Sequence, residues 1–120
     1  GSAYVFVSNG CIAGSISLDK HQDIQYKKIH WHNYSNKVLA IHRLSVHPRF
    51  QGQGIGKILC LFAEKYAVDA DLDTIRLDAY SLNRAALQLY TSLGYQRANG
   101  YCYFHKNVFP FYCYDKKIMS

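Results

Sequence analysis

Two segments at the start of the chain have the patterns of hydrophobic residues that are typical of β-strands. Ala3 to Val7 is rich in aromatic and β-branched residues, and Cys11 to Leu18 alternates with apolar residues on one side. Those apolar residues are Ile12, Ile16 and Leu18. Between the two segments, Ser8-Asn9-Gly10 contains an Asn-Gly pair, which favours a tight turn because both residues can adopt positive φ. The chain is therefore predicted to begin with an antiparallel hairpin.

The next segment, Asp19 to Lys37, is polar, mixed in charge and without periodicity. It is longer than most connections inside a compact domain. This length predicts either a functional flap or a mobile insertion.

A strand, a helix and a second strand are predicted to follow as a βαβ unit. Val38 to Val46 indicates a buried strand with Val38, Ala40, His42, Leu44 and Val46 on one face, and Pro48 ends it. From Ile55, apolar residues recur with the 3.6-residue period of an amphipathic helix, at Ile58, Leu59, Phe62, Ala63, Tyr66 and Ala67. Thr74 to Tyr80 is the next strand, and the intervening helix favours a parallel arrangement of the two strands.

The last third of the chain predicts one more helix and a hairpin. The helix covers Arg84 to Leu93, with Asn83 as N-cap and Gly94 at the C′ position. Strands are predicted at Tyr95 to Tyr103 and Phe109 to Lys117, joined at His105-Lys106-Asn107. The order of elements predicts an α/β fold of the α+β type, with a central mixed β-sheet flanked by helices.

Composition restricts the class of protein. The chain has 120 residues, 49% hydrophobic and 18% charged, which indicates one folded domain and excludes disorder. No apolar run is long enough to span a bilayer, so we expect no membrane partner. Gly1-Ser2 is interpreted as the remnant of a cleaved tag, which leaves residues 3–120 as the domain. The formal charge of +6 favours an anionic partner.

The four cysteines show neither a CxxC pair nor the spacing of metal ligands. They are Cys11, Cys60, Cys102 and Cys113. We interpret them as reduced thiols of a cytoplasmic protein.

A glycine-rich segment joins the predicted buried strand to the start of the first helix. In Gln51-Gly52-Gln53-Gly54-Ile55-Gly56, the glycines allow close approach of a ligand to the backbone, and the first turn of the helix offers free N–H groups. Arg49 and Lys57 flank the segment, so it suits a phosphate or pyrophosphate. A tight turn without a ligand is the alternative. The spacing fits neither the Walker nor the dinucleotide-binding pattern.

Two motifs resemble those of the GNAT superfamily of acyl-CoA-dependent N-acyltransferases. Gln51-x-x-Gly54-x-Gly56, after Val46-His47-Pro48, is similar to the acyl-CoA signature of that superfamily. Asn83-x-x-Ala86-x-x-x-Tyr90-x-x-x-Gly94-Tyr95 is similar to its later motif. The resemblance covers roughly Val38 to Lys117 and implies a GNAT fold and an N-acetyltransferase that uses acetyl-CoA and an amine acceptor.

The resemblance also implies site residues. The backbone amides from Gln53 to Lys57 would hold the pyrophosphate of coenzyme A, and Leu44 and Val46 would pair with its pantetheine arm. The complete expected cofactor-binding set is Leu44, Val46, Gln51, Gly52, Gln53, Gly54, Ile55, Gly56, Lys57 and Asn83.

Tyr90 and His42 are the expected catalytic residues. Periodicity alone favours Tyr90 as a core residue, whereas the resemblance implies that it protonates the departing thiolate. His42 lies beside the expected thioester, and a neutral imidazole can accept an ammonium proton. A hydrogen-bonded core histidine is the alternative. His30 and His32 share a strand face, but no further ligand cluster supports a metal, and none is predicted.

One departure from the family concerns the first residues. Family members usually have a strand and two helices before the hairpin, and their absence suggests an N-terminally truncated chain, a processed fragment or a natural short form. Apolar surface left uncovered in this way predicts a homodimer or a swapped assembly. An acyltransferase that uses a longer acyl group is a second enzymatic interpretation, and a catalytically silent acyl-CoA-binding module is the alternative to an enzyme. Nucleic-acid binding is not expected, because the basic residues are scattered and no base-reading motif occurs.

Overall fold

Six strands form one mixed sheet in the computed structural model, which describes residues 1–104 and 107–119. In chain order the elements are β1 (Ser2–Ser8), β2 (Cys11–Asp19), β3 (Val38–Val46), α1 (Ile55–Asp69), β4 (Thr74–Tyr80), α2 (Arg84–Ser92), β5 (Gln96–Cys102) and β6 (Phe111–Lys117). Short 3-10 turns cover Ile24–Lys28 and Pro48–Phe50. The strand order across the sheet is β1-β2-β3-β4-β6-β5, and only β3 and β4 are parallel.

The N-terminal hairpin is confirmed. Asn9 and Gly10 have φ of 50° and 76°, as their turn requires. The prediction that Ile12 shares a side with Ile16 and Leu18 is wrong, since Ile12 is 59% exposed. The β1–β2 register shifts between Phe6 and Val7, and this irregularity moves Ile12 to the outer face.

A similar irregularity corrects the face predicted for β3. Arg43 has φ of 53°, and the β2–β3 register shifts beside it. Leu39 and Ile41 before it pack in the same core as Leu44 and Val46 after it. The alternate residues of β3 therefore do not share one face along its whole length, because the bulge reverses which positions point into the core.

The βαβ unit is confirmed, and both helices pack on one face of the sheet. That face carries the main core, which includes Leu39, Leu59, Ile75, Leu77, Tyr90 and Tyr114. The opposite face carries a second core built by Tyr26 and Ile29 on Ala98, Cys102 and Cys113. The predicted mixed sheet is thus confirmed, whereas the helices flank it on one side.

The connection between β2 and β3 covers the part of the other side formed by β5 and β6. Its Tyr26 is only 2% exposed, and the buried Asp115 of β6 accepts hydrogen bonds from the backbone N–H groups of His32 and Asn33, at 3.3 and 2.8 Å. The Asn33 side-chain amide donates to the same carboxylate at 3.0 Å. The polar segment is therefore packed against the sheet and does not form a loose insertion.

The C-terminal strands are confirmed with shorter bounds than predicted. The predicted connection between them is His105-Lys106-Asn107, of which His105 and Lys106 lie outside the described residues. Ser2, interpreted above as part of a tag remnant, pairs with Leu18 in the sheet.

The four cysteines are free, and the Sγ atoms of Cys102 and Cys113 are 3.4 Å apart. Neither helix in the described part of the chain is long and apolar enough to cross a membrane.

Candidate active site

The glycine-rich loop opens the first turn of α1 to a ligand. Gly52 and Gly54 have φ of 80° and 79°, and a Cβ at either position would meet nothing within 4 Å. Gly54 is the N-cap of α1 and provides no side-chain hydrogen bond. The N–H groups of Ile55, Gly56 and Lys57 precede the first intrahelical hydrogen bond, from Ile58 N to Gly54 O, so they are available to an anion.

A third glycine brings the two helices together. A Cβ on Gly56 would lie 2.9 Å from Cδ2 of Leu89 in α2, which is closer than packed atoms allow. Hydrogen at this position therefore lets the start of α1 lie against α2. As a result, the loop and the residues of α2 line one shared space.

The parallel strands separate beside this loop. Pairing between β3 and β4 runs from Val38↔Thr74 to Ile41↔Leu77 and then stops, although both strands continue for several residues. Beyond Ile41 and Leu77, the facing edges of the two strands carry backbone groups that are not paired across this gap. An extended ligand can enter such a gap and hydrogen-bond to a strand.

Two adjoining cavities occupy the gap. The smaller, of about 290 Å³, lies against the glycine-rich loop, and the larger, of about 590 Å³, lies between β3, β4 and the β2–β3 connection. Leu44, Asn83, Ala86 and Tyr90 line both. The two cavities together form a channel that leads from the free amides of α1 to Tyr90.

The structure brings together nearly all of the expected cofactor-binding residues. Those lining the smaller cavity are Leu44, Val46, Gln51, Gly52, Gly54, Ile55, Gly56, Lys57 and Asn83. Gln53 is exposed on the loop and is not part of the lining. Asn83 also caps α2, since its side-chain oxygen accepts a hydrogen bond from Ala86 N at 3.1 Å.

Tyr90 lies where the two cavities meet. It is 4% exposed, and its ring packs against those of Tyr95 and Tyr114 at centroid distances of 5.9 and 6.0 Å. Burial raises the pKa of Tyr90 above the ordinary range of a phenol, and the nearby Cys60 and Asp78 act in the same direction. The side chain is therefore a neutral phenol that can donate a proton.

His42 lines the larger cavity on β3. Its Nε2 lies 3.2 Å from the carbonyl oxygen of His21. Because a carbonyl only accepts, Nε2 carries the proton of this hydrogen bond. In the neutral ring, Nδ1 is then the nitrogen that can accept a proton.

Sequence reasoning missed Asp78, a carboxylate in the wall of the larger cavity. Asp78 Oδ2 accepts a hydrogen bond from the Tyr26 hydroxyl at 2.5 Å, across 52 residues of sequence. Burial raises the pKa of Asp78, while the Tyr26 hydrogen bond and the proximity of His42 oppose the rise. The sequence did contain a signal for this residue. In β4 the apolar Ile75, Leu77 and Ala79 alternate with polar residues, which places Asp78 on the opposite face of the strand.

His30 and His32 are not placed in either cavity lining. The His32 Nε2 is 2.8 Å from the carbonyl oxygen of Arg97, and His30 forms an isolated bridge with Asn99. No group of three or more metal-ligating side chains is found among residues 1–104 and 107–119. The two histidines attach the β2–β3 connection to β5.

Comparison with known proteins independently supports the resemblance to acyl-CoA-dependent acetyltransferases. The Acetyltransferase (GNAT) family profile matches residues 1–95. A mycothiol acetyltransferase of Tsukamurella paurometabola is 32% identical over 85 residues, which cover 68% of this chain and 29% of that protein. N-acetyltransferase 8F1 of Mus musculus is 34% identical over 65 residues, which cover 54% of this chain and 29% of that protein. The chain thus spans less than a third of the length of these curated relatives.

Solved structures share the architecture. A GNAT-family acetyltransferase of Listeria monocytogenes superposes with a TM-score of 0.67 at 25% identity, covering 96% of this chain and 63% of that one. IAA acetyltransferase of Bacillus cereus superposes with a TM-score of 0.77 at 18% identity, covering 96% of this chain and 76% of that one. A Salmonella typhimurium structure with its cofactor acetyl-CoA gives a TM-score of 0.74 at 17% identity, covering 98% of this chain and 65% of that one. The last two similarities concern the fold alone.

Proposed function

The chain belongs to the GNAT family of acetyltransferases, and from that premise we propose that it transfers an acetyl group from acetyl-CoA to a primary amine in a ternary complex. The observation that carries the proposal is the continuous channel between the free amides of α1 and the buried phenol of Tyr90. An anion-binding helix start at one end and a proton donor at the other are what a phosphorylated thioester substrate requires.

The smaller cavity would hold coenzyme A. The amides of Ile55, Gly56 and Lys57 would bind its pyrophosphate, and the exposed Arg49 and Lys57 would add positive charge beside them. The separated edge of β3 at Leu44 and Val46 would pair with the pantetheine arm. Acetyl-CoA supplies the thioester that the amine attacks, and coenzyme A leaves as the thiol.

The larger cavity would hold the amine beside the thioester. His42 would take a proton from the ammonium through Nδ1, so that the neutral nitrogen can attack. A backbone N–H near Leu44 would hold the oxygen that becomes negative, and Tyr90 would give its proton to the departing sulfur. The nitrogen of the tetrahedral intermediate would release its second proton, and a proton would return to the Tyr90 phenolate through solvent. His42 would release its own proton to solvent.

Turnover of acetyl-CoA with a panel of primary amines tests this proposal. Thiol release together with mass-spectrometric detection of the acetylated amine would support an enzyme. Calorimetry run in parallel measures whether the chain binds coenzyme A. Binding without transfer to any amine would instead favour a catalytically silent acyl-CoA-binding module.

A further inference from the structure

A half-buried carboxylate faces the acceptor side of the channel. Asp78 lies on β4 just beyond the point where β3 and β4 separate, and it lines the larger cavity together with His42 and Tyr90. One carboxylate oxygen, Oδ2, accepts the hydrogen bond of Tyr26. Within residues 1–104 and 107–119, no side chain forms a salt bridge with Asp78.

Tyr26 fixes the position of this carboxylate. The Tyr26 ring is 2% exposed and packs against Trp31 with ring centroids 5.0 Å apart. Because the Tyr26 ring is buried, the hydrogen bond from its hydroxyl restricts rotation of the Asp78 carboxylate. The other oxygen, Oδ1, remains available to a ligand. A carboxylate that burial has partly removed from water gains more from a cation than an exposed one does.

Aromatic rings line the same cavity as the carboxylate. Phe111 lies 5.1 Å from the ring of Tyr80 and 5.1 Å from that of Phe104, by centroid distance, and all three side chains are partly exposed to the cavity. Such walls accept an apolar body and stabilise a cation close to it. The lining also contains the charged residues Asp23, which is a second carboxylate, and Arg43, which is exposed on β3.

We propose that Asp78 is a specificity-determining residue that binds the ammonium group of the acceptor, and that the acceptor is a cationic primary amine carrying an apolar, ring-sized body. The inference rests on the proposed function, since it assigns the larger cavity to the acceptor. Asp78 selects and orients the ammonium, and His42 then removes its proton for attack. Neutral and acidic amines lack the charge that this carboxylate recognises.

Two probes of nearly the same shape separate charge from size. Phenethylamine is a cation at neutral pH, whereas O-benzylhydroxylamine is neutral. With saturating coenzyme A, we expect the wild-type chain to bind phenethylamine at least about tenfold more tightly in an NMR titration. Asp78→Asn keeps the shape and the Tyr26 contact and should abolish this preference.

Asp71→Asn is the matched control. Asp71 lies before β4, at the opposite end of that strand, where its carboxylate is 82% exposed and pairs with Lys37 at 3.4 Å. This variant loses the same charge and should keep the preference for the cation. Equal wild-type affinities for the two probes, or a preference that survives Asp78→Asn, would overturn the proposal.

The binding measurement also separates this inference from the proposed function. If the cation preference depends on Asp78 but no amine of the panel, these probes included, is acetylated, the cation site stands and the transferase proposal fails. If both probes are acetylated but Asp78→Asn changes neither dissociation constant, the transferase stands and the assignment of Asp78 fails.

Discussion

Tyr90 is the single residue whose chemistry can be tested most directly. A free phenol facing a thiol makes proton transfer uphill by about 2 kcal/mol, and burial of Tyr90 increases this difference. Donation that accompanies cleavage of the C–S bond offsets the difference. We expect Tyr90→Phe to lower kcat by about 10²–10⁴-fold, with coenzyme A affinity and Tm nearly unchanged.

The pH profile gives this prediction a second readout. Because the pKa of Tyr90 is raised, the phenol stays protonated at the alkaline end of the accessible range, and no basic limb should arise from it below about pH 10. The measurement is kcat/KM against pH for the wild type and Tyr90→Phe, since this ratio reports groups of the free enzyme. A wild-type limb below that pH that disappears in the Phe variant would contradict the pKa direction, and an unchanged kcat with chemistry rate-limiting would make Tyr90 a core residue.

At the scale of elements, the effect of the glycine-rich loop on coenzyme A binding can be distinguished from the effect of backbone strain on stability. Gly54 and Gly10 have nearly the same φ, 79° and 76°, and a Cβ on either would meet nothing within 4 Å. Gly54→Val and Gly10→Val should therefore each cost about 1–3 kcal/mol of unfolding free energy. Only Gly54→Val should also weaken coenzyme A binding, by at least about tenfold, because its side chain occupies the approach to the α1 amides.

Chemical denaturation and calorimetry on the two variants measure these quantities. Gly10 lies in the β1–β2 turn and outside both cavity linings, so it controls for strain alone. Equal coenzyme A affinities for the two folded variants would exclude the loop as the pyrophosphate site.

The β2–β3 connection depends on one buried carboxylate. Asp115 is fully buried and accepts three hydrogen bonds from His32 and Asn33. In Asp115→Asn an amide N–H₂ replaces one acceptor, so at least one donor loses its partner, at a cost of about 1–3 kcal/mol. Because His21 and Asp23 of this connection line the larger cavity, the KM for the acceptor should rise several-fold.

An exposed carboxylate provides the comparison for Asp115. Asp69→Asn removes an i,i+4 pair with Lys65 on the surface of α1, which should cost less than about 0.5 kcal/mol. Urea denaturation and hydrogen exchange of residues 20–37 would distinguish the two variants. Exchange in this segment that is no faster in Asp115→Asn than in the wild type would show that the carboxylate does not anchor it.

For the whole molecule, the uncovered surface predicts a homodimer. β1 is an edge strand, and Val5, Val7 and Ile12 on the hairpin are 55%, 56% and 59% exposed. An exposed apolar edge strand favours pairing with a second copy. We expect sedimentation velocity to detect a dimer that Val5→Lys dissociates, whereas Val68→Lys, at a 43% exposed valine of α1, leaves it intact. A wild-type chain that remains monomeric at high concentration would refute this prediction.

Much of the fold and of the candidate site follows from local sequence. The predicted GNAT acyl-CoA N-acyltransferase fold is confirmed, and the bounds of β3 and β4 match those predicted. Asn9-Gly10 specifies the hairpin through its φ preference, Asn83 caps α2, and the glycines after β3 open the start of α1. Each of these features is decided within a few residues, where dihedral preferences and capping act.

Other features depend on which segments meet in the folded chain. The bulge at Arg43 reverses the faces of β3, and the Asp78–Tyr26 hydrogen bond joins residues 52 positions apart. The β2–β3 connection has no periodicity, yet it covers the β5–β6 part of one sheet face through Tyr26, Ile29 and its hydrogen bonds to Asp115. Strand order and register determine these contacts, and both are set by packing of the entire sheet. The sequence by itself therefore determined the main elements and the glycine-rich loop at the start of α1, whereas only the tertiary structure decided the shape and charge of the larger cavity.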